Sequence, residues 1–249
     1  MRILSQLALI GSAQFGLSCS WDCHIYGLRV RDGLVLIDAG SGLGEDEVAA
    51  QLESDFPGVP VVGLILTHAH MDHSGGAGGL RKRFGCVVVS SEETRVILEC
   101  GDEERSGLRR AREMGGYPAD LRMKPCRVDQ TFRANQEIDL GGQAWHPVRL
   151  RGHSHDSYGL LTRIGDRTAC FSGDAVFYGG TLGVINAWDS GLQGYVEDLP
   201  QLKNAGIDIL LPGHGLFTLR EGQKHIDAAI RSLESGFLPP QIGQGAAIF

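Results

Sequence analysis

The 249-residue sequence lacks several features that would assign it to a structural class at once. No apolar run approaches the ~20 residues that a membrane-spanning helix needs. It contains no block of like charges, no internal repeat and no low-complexity stretch, so nothing indicates a disordered tail or a repeat protein. The six cysteines follow no zinc-finger spacing, and the formal net charge of −7 argues against a nucleic-acid partner.

The few cysteines that are present predict reduced thiols and a cytoplasmic location. Cys86 and Cys170 lie in apolar runs and are expected to be buried. Cys19 and Cys23 could pair or bind a metal, but a chance spacing is favoured. Residues 1–11 begin with one basic residue and an apolar stretch, as a signal peptide would, although their alternating pattern favours a first strand.

Apolar periodicity alternates between strand-like and helix-like segments along the whole chain. Strands are predicted at 25–30, 34–38, 61–66, 86–90, 145–150, 159–164, 167–171 and 207–211. Helices are predicted at 45–54, 75–84, 195–205 and 220–233. A capping box formed by Ser90 and Glu93 predicts a further helix that ends near Cys100. The pattern indicates a mixed α/β protein with one large core.

A dense group of histidines follows the apolar run at 61–66. Residues 67–73 read THAHMDH, so three imidazoles and a carboxylate stand within six positions. Neutral imidazole and carboxylate are ligand types that suit zinc, iron and manganese. Because the whole chain has only nine histidines, this density favours a metal site over an ordinary polar loop.

Three further candidate ligands each follow a predicted strand and a glycine. They are His153, Asp174 and His214. A glycine lets the backbone turn sharply, so that a short side chain can face a common site. One Gly-His or Gly-Asp pair would be weak evidence. Three of them in the order His, Asp, His after the histidine-rich loop strengthen the prediction of a metal centre.

These motifs resemble those of the metallo-β-lactamase superfamily, from about Leu34 to His214. Residues 36–40, LIDAG, are similar to the LIDTG segment that precedes the metal loop of that family. The resemblance implies a four-layer αββα sandwich and a single domain over residues 1–249. Residues 102–125 themselves read as a helical, polar insertion, which either covers the metal site as a lid or is a surface excursion.

The resemblance further implies a site for two divalent ions, zinc first, with iron or manganese as alternatives. One ion would be held by three histidines and the other by an aspartate and two histidines, with a second aspartate bridging both. Carried over to this sequence, these positions are His68, His70 and His153 for the first ion, Asp72, His73 and His214 for the second, and Asp174 for the bridge. Asp174 and His73 are similar to the glyoxalase II and lactonase branches.

Such a site implies hydrolysis of an acyl bond, in a thioester, an ester or a lactone, by a metal-bridging hydroxide. Asp72 would both ligate the metal and orient the hydroxide, which makes it the catalytic candidate. Four other side chains are candidates for substrate binding, each with a packing role as the alternative: Tyr178, His155, His24 and Trp188. Glutathione specificity is not expected, because residues 178–182 lack the basic pair that glyoxalase II carries after its bridging aspartate.

A second function is an oxidoreductase similar to persulfide dioxygenases. In these relatives one iron is bound by the equivalents of His68, His153 and Asp174, a set with open positions for oxygen. Phosphodiester cleavage ranks third, because the acidic balance and the lack of an RNA-binding appendage disfavour it. The expected partner is a small-molecule substrate, without nucleic acid or membrane, and a homo-oligomer is left open.

Overall fold

A computed structural model describes residues 1–242 of the chain. These residues divide into two compact units, the first formed by 1–133 with 139–143 and the second by 134–138 with 144–242. The expectation of one domain over 1–249 stays a prediction, and its last positions, 243–249, lie outside the described residues. The insertion expected at about 102–125 belongs to the first unit.

The first unit is built on a six-stranded mixed sheet whose spatial order follows the chain order. Its strands are β1 (Leu7–Gly11), β2 (Ile25–Val30), β3 (Gly33–Ile37), β4 (Val61–Ile65), β5 (Val87–Ser91) and β6 (Gln130–Phe132). The first three strands pair antiparallel, and β3 to β6 pair parallel. Because neighbouring parallel strands end at the same edge, the residues that follow β3 and β4 are brought together.

Five helices connect these strands. They are α1 (Glu45–Asp55), α2 (Met71–Ser74), α3 (Ala77–Phe84), α4 (Glu92–Cys100) and α5 (Leu108–Glu113). The helix cap was predicted at Ser90, but the observed N-cap residue is Ser91, one position later. Strand β5 continues through Ser91, and the Ser91 hydroxyl accepts the Thr94 N–H at 3.0 Å. Within 102–125 only α5 is α-helical, so the insertion contains less helix than the sequence indicated.

The second sheet has five strands in the order β11-β10-β9-β8-β7. They are β7 (Ile138–Leu140), β8 (Gln143–Arg149), β9 (Tyr158–Ile164), β10 (Arg167–Gly173) and β11 (Ile209–Pro212). Strands β8, β9 and β10 pair antiparallel, whereas β10 and β11 pair parallel. The ends of β10 and β11 therefore lie side by side, directly before Asp174 and His214.

Two helices follow in the second unit, α6 (Leu192–Asp198) and α7 (Gly222–Glu234). The helix predicted at 195–205 begins earlier and becomes a 3-10 turn at Leu199–Leu202, where Pro200 has no N–H for a helical hydrogen bond. Buried residues of α7 recur at helical spacing, as in Ile226, Ala229 and Ile230. Among residues 1–242, no helix is both long and apolar enough to span a bilayer.

Each unit has its own apolar core, and the predicted burial of two thiols is confirmed. Cys86 belongs to the core of the first unit and Cys170 to that of the second. Burial raises the pKa of the Cys170 thiol to about 12, so this group stays protonated at neutral pH. All six cysteines are free, including Cys19 and Cys23, which form no disulfide with each other.

Candidate metal centre

The first unit gathers four candidate ligands directly after strand β4, which ends at Ile65. They are His68, His70, Asp72 and His73. The ring centroids of His68 and His70 lie 4.7 Å apart, and those of His68 and His73 lie 4.1 Å apart. The Asp72 Oδ2 atom is 3.5 Å from His73 Nε2. Three imidazoles and a carboxylate this close together form a suitable donor set for a divalent cation.

A buried carboxylate, Asp38, organises two of these histidines. It accepts hydrogen bonds from the Thr67 N–H at 2.8 Å, the Thr67 hydroxyl at 2.9 Å and His73 Nδ1 at 2.8 Å. Because the Thr67 hydroxyl gives its hydrogen to Asp38, the Thr67 oxygen accepts from His68 Nδ1 at 3.0 Å. Both rings then carry hydrogen on Nδ1, and each Nε2 has the lone pair that metal binding requires.

The sheet explains how Asp38 reaches Thr67. The two residues follow β3 and β4, which are parallel neighbours, and the Asp38 N–H donates to the Ile65 carbonyl at 3.0 Å. Asp38 has a left-handed backbone with φ of 62°, a conformation that aspartate adopts more readily than most residues. The LIDAG segment supported the resemblance to the superfamily, but its spacing from the histidines gave no indication of this hydrogen-bonding role.

The second unit gathers the other three candidate ligands around one oxygen atom. Asp174 Oδ2 lies 3.6 Å from His153 Nε2 and 3.5 Å from His214 Nε2. Asp174 follows β10 and His214 follows the parallel neighbour β11, so the shared sheet edge brings them together. His153 Nδ1 donates to the Gly183 carbonyl at 2.6 Å. The Nε2 atom, which faces Asp174, therefore carries the lone pair that can bind a metal ion.

Gly183 supports this arrangement through its backbone. A Cβ atom at this position would lie 2.0 Å from the Asp174 carbonyl oxygen and 3.0 Å from His153 Nδ1, so only glycine fits. Its N–H donates to the Tyr195 hydroxyl at 3.1 Å. Neither Gly183 nor Tyr195 was a candidate from the sequence, because both lie far from His153 along the chain and belong to no motif.

The spacing of the donor atoms fits a metal ion. Around a tetrahedral zinc ion with bonds of about 2.1 Å, two ligand atoms lie about 3.4 Å apart. The Nε2–Oδ2 separation of His73 and Asp72 is 3.5 Å, and the two separations at Asp174 are 3.5 and 3.6 Å. These distances are too long for good hydrogen bonds and match the edges of a coordination shell. The donor groups of each unit therefore fit the divalent ions that the sequence predicts.

The family assignment rests on a long match. A profile described as the metallo-beta-lactamase superfamily matches residues 21–214. The chain belongs to this superfamily. The matched stretch includes all seven candidate ligands, and the two-sheet α/β architecture confirms the fold class that the motifs implied.

Curated relatives with named activities match at moderate identity. Acyl-coenzyme A thioesterase MBLAC2 of Gallus gallus is 28% identical over 72% of this chain and 68% of its own length. Hydroxyacylglutathione hydrolase GloC of Haemophilus influenzae is 26% identical over 68% of this chain and 76% of its own length. Atrochrysone carboxyl ACP thioesterase of Aspergillus fumigatus is 26% identical over 73% of this chain, but the match spans only 47% of that protein.

Solved structures of the superfamily have the same fold. A metallo-β-lactamase of Cronobacter sakazakii superposes with a TM-score of 0.70, covering 95% of this chain and 93% of the other. The sequence identity is 19%, so this likeness concerns the fold alone. It confirms the αββα metallo-β-lactamase fold.

Two of the predicted substrate residues lie next to the His153 segment of this metallo-β-lactamase fold. His155 donates from its backbone N–H and its Nδ1 to Asp189 Oδ2, each at 2.9 Å, and its ring lies 5.2 Å from that of Trp188. Trp188 is 62% exposed. The structure thus holds His155 and Trp188 together at the surface of the second unit.

The other two predicted substrate residues have different surroundings. His24 is 1% exposed and its Nδ1 lies 3.0 Å from the Ser12 hydroxyl, which favours a packing role. Tyr178 is exposed, and its ring centroid lies 4.2 Å from that of His225. The Nδ1 atom of His225 in turn accepts the Gly179 N–H at 2.9 Å. A substrate role for Tyr178 and His24 stays a prediction.

Proposed function

We propose that this protein hydrolyses acyl bonds, in a thioester, an ester or a lactone, with two divalent ions held by the seven residues that the resemblance implied. The observation that carries the proposal is the single oxygen of Asp174 flanked by two imidazole Nε2 atoms, as a bridging ligand requires. The thioesterase and glutathione hydrolase activities of the relatives agree with this reaction class.

The proposed ligand set is the one that the motifs implied, with zinc as the first candidate and iron or manganese as alternatives. Three histidines hold one ion, three residues hold the other, and Asp174 joins them. The first group is His68, His70 and His153, and the second is Asp72, His73 and His214. Asp38 and the Gly183 carbonyl fix three of these imidazoles in the tautomer that binds metal.

The chemistry divides between the bound ions and the side chains. Two divalent ions would supply an activated water and a polarised acyl carbonyl. Asp72 would orient that water through its carboxylate, which lies beside His73. No serine or cysteine nucleophile is required, in agreement with the raised pKa of the buried Cys23 thiol, which keeps this neighbour of His73 protonated.

Metal removal tests this proposal. Protein treated with a chelator and dialysed should lose hydrolysis of a panel of thioesters, esters and lactones, and added zinc, manganese or iron should restore it. Elemental analysis of the purified protein should give about two ions per chain. A chelated protein that keeps its full rate on the panel would contradict metal-dependent hydrolysis.

The oxidoreductase alternative shares one observation with the hydrolase proposal, the closeness of His153 and Asp174, which are two of its three iron ligands. Oxygen consumption by iron-loaded protein with a persulfide distinguishes it from hydrolysis. Location in the cytoplasm and oligomeric state stay predictions.

The acyl group of the substrate is proposed to bind segment 183–191. This segment is fastened to the His153 loop, because the Ser190 hydroxyl and the Gly191 N–H both donate to the Gly152 carbonyl at 2.9 Å. The side chains of Ile185 and Trp188 are exposed in this segment. Its single charged side chain, Asp189, accepts a hydrogen bond from His155. An exposed apolar surface without lysine or arginine suits an apolar acyl chain better than an anionic one.

We therefore expect kcat/KM to rise with acyl length in a series of thioesters from acetyl to decanoyl. The rise should be roughly two- to fourfold per methylene until the surface is covered. Trp188→Ala should flatten this slope and leave acetyl turnover near that of the wild type. Phe237→Ala, which removes an exposed aromatic ring outside the segment, is the control. An unchanged slope in Trp188→Ala would contradict the assignment.

A further inference from the structure

The segment 102–125, which the sequence left as a lid or a surface excursion, is anchored to the first unit. Arg112 donates to the Leu121 carbonyl at 2.7 Å and to the Glu103 carboxylate at 2.8 Å. Glu103 also accepts the Met123 N–H at 3.3 Å. Leu108 is fully buried in the apolar core. The segment is therefore a folded part of the first unit.

One residue of this segment reaches the candidate ligands. The Tyr117 ring packs against the core of the first unit, and its hydroxyl donates to Asp72 Oδ1 at 3.2 Å. The segment also passes close to His70, since a Cβ atom on Gly107 would lie 3.7 Å from that ring. Nothing in the sequence pattern connected Tyr117 with Asp72, because 45 positions separate them.

The two oxygens of Asp72 therefore have different partners. Oδ1 accepts from Tyr117, whereas Oδ2 lies 3.5 Å from His73 Nε2, at the distance expected within one coordination shell. A carboxylate that is free to rotate can present either oxygen, or both, to a metal ion. The hydrogen bond from Tyr117 selects the rotamer in which Oδ2 alone faces the position beside His73.

We propose that Tyr117 is a positioning residue that holds Asp72 as a one-oxygen ligand, so that segment 102–125 completes the site for the ion bound by Asp72 and His73. The inference rests on the proposed two-ion function. It gives the segment a role distinct from that of a lid, because Tyr117 acts on a ligand and does not have to open or close.

The test is zinc affinity, measured on full-length metal-free protein by competition with a chromophoric chelator. Tyr117→Phe removes the hydroxyl and keeps the ring. Removal of such an outer hydrogen bond typically weakens metal binding about 10- to 100-fold, and we expect this loss for one of the two ions. The other ion should bind within about threefold of its wild-type affinity. Cobalt substitution supplies a second readout, as the visible spectrum of one ion should change.

Two further variants separate positioning from a general structural role. Met114→Ala changes an exposed side chain of the same segment and should leave both affinities unchanged. Arg112→Gln weakens the anchor of the segment and should lower the affinity for the same ion as Tyr117→Phe. The melting temperature of metal-free Tyr117→Phe should stay within a few degrees of the wild type, since one hydrogen bond contributes only about 1 kcal/mol.

Three results would overturn the inference. The first is wild-type affinity for both zinc ions in Tyr117→Phe, and the second is an equal loss of both ions with a large fall in the melting temperature of the metal-free protein. Both leave the proposed hydrolase intact. The third, a wild-type protein that binds no divalent ion, removes the proposed function together with this role of Tyr117.

Discussion

Asp174→Ala is expected to lower kcat/KM for the best acyl substrate by at least about a thousandfold. The variant removes the oxygen that lies between the Nε2 atoms of His153 and His214. A metal ion contributes several kcal/mol to stabilising the transition state, and about 4 kcal/mol corresponds to a factor of a thousand. The measurement is steady-state kinetics together with the zinc content after dialysis.

Asp166→Ala is the matched control, because Asp166 is an exposed carboxylate in the turn between β9 and β10. It should keep wild-type kinetics and zinc content. The variants His70→Ala and His214→Ala extend the test, since the mononuclear iron alternative does not use either residue as a ligand. Loss of hydrolysis in both supports two ions, whereas full activity in both, or in Asp174→Ala, would refute the proposed centre.

Asp38→Ala should destabilise the fold and weaken metal binding at once. The change removes the acceptor for the Thr67 N–H, the Thr67 hydroxyl and His73 Nδ1, all of which are buried. Each buried donor left without a partner costs about 1–3 kcal/mol, and alanine also tolerates the left-handed backbone poorly. We expect a fall in melting temperature of roughly 10 °C, from 2–4 °C per kcal/mol in a protein of this size.

The metal-binding effect of Asp38→Ala should appear as a 10- to 100-fold lower zinc affinity, because His68 and His73 lose the group that fixes their tautomers. Asp38→Asn is the matched comparison. Asparagine adopts the left-handed backbone and retains one acceptor oxygen, so its losses should be smaller. Equal stability and zinc affinity in Asp38→Ala and the wild type would show that the carboxylate has no organising role.

The sequence predicted the candidate ligands because each stands in a local pattern, a buried strand followed by a turn. His68 to His73 and the Gly-Asp and Gly-His pairs could be found in this way. The hydrogen bonds that orient these ligands could not be predicted, because they join positions that are close only after the sheets have formed. Asp38 meets Thr67 through parallel pairing of β3 and β4, and Gly183 meets His153 across 30 positions.

The prediction of secondary structure from the sequence is limited in a similar way. Two three-residue strands, β6 and β7, escaped prediction because such short segments contain too few residues to establish a period. The helical content of 102–125 was overestimated, since that segment is held by side-chain contacts such as those of Arg112 more than by helix formation.

The carbonyl of Gly183 that orients His153 belongs to the same short stretch as Ile185 and Trp188. In the proposed site, altering that stretch to admit a new substrate is expected to shift His153 as well, which is a proposed metal ligand. We therefore expect specificity and turnover to change together, so that a laboratory selection for a new substrate would need compensating changes elsewhere in the chain. Grafting the whole stretch together with the strand that ends before Asp174 offers a better starting point than exchanging single side chains.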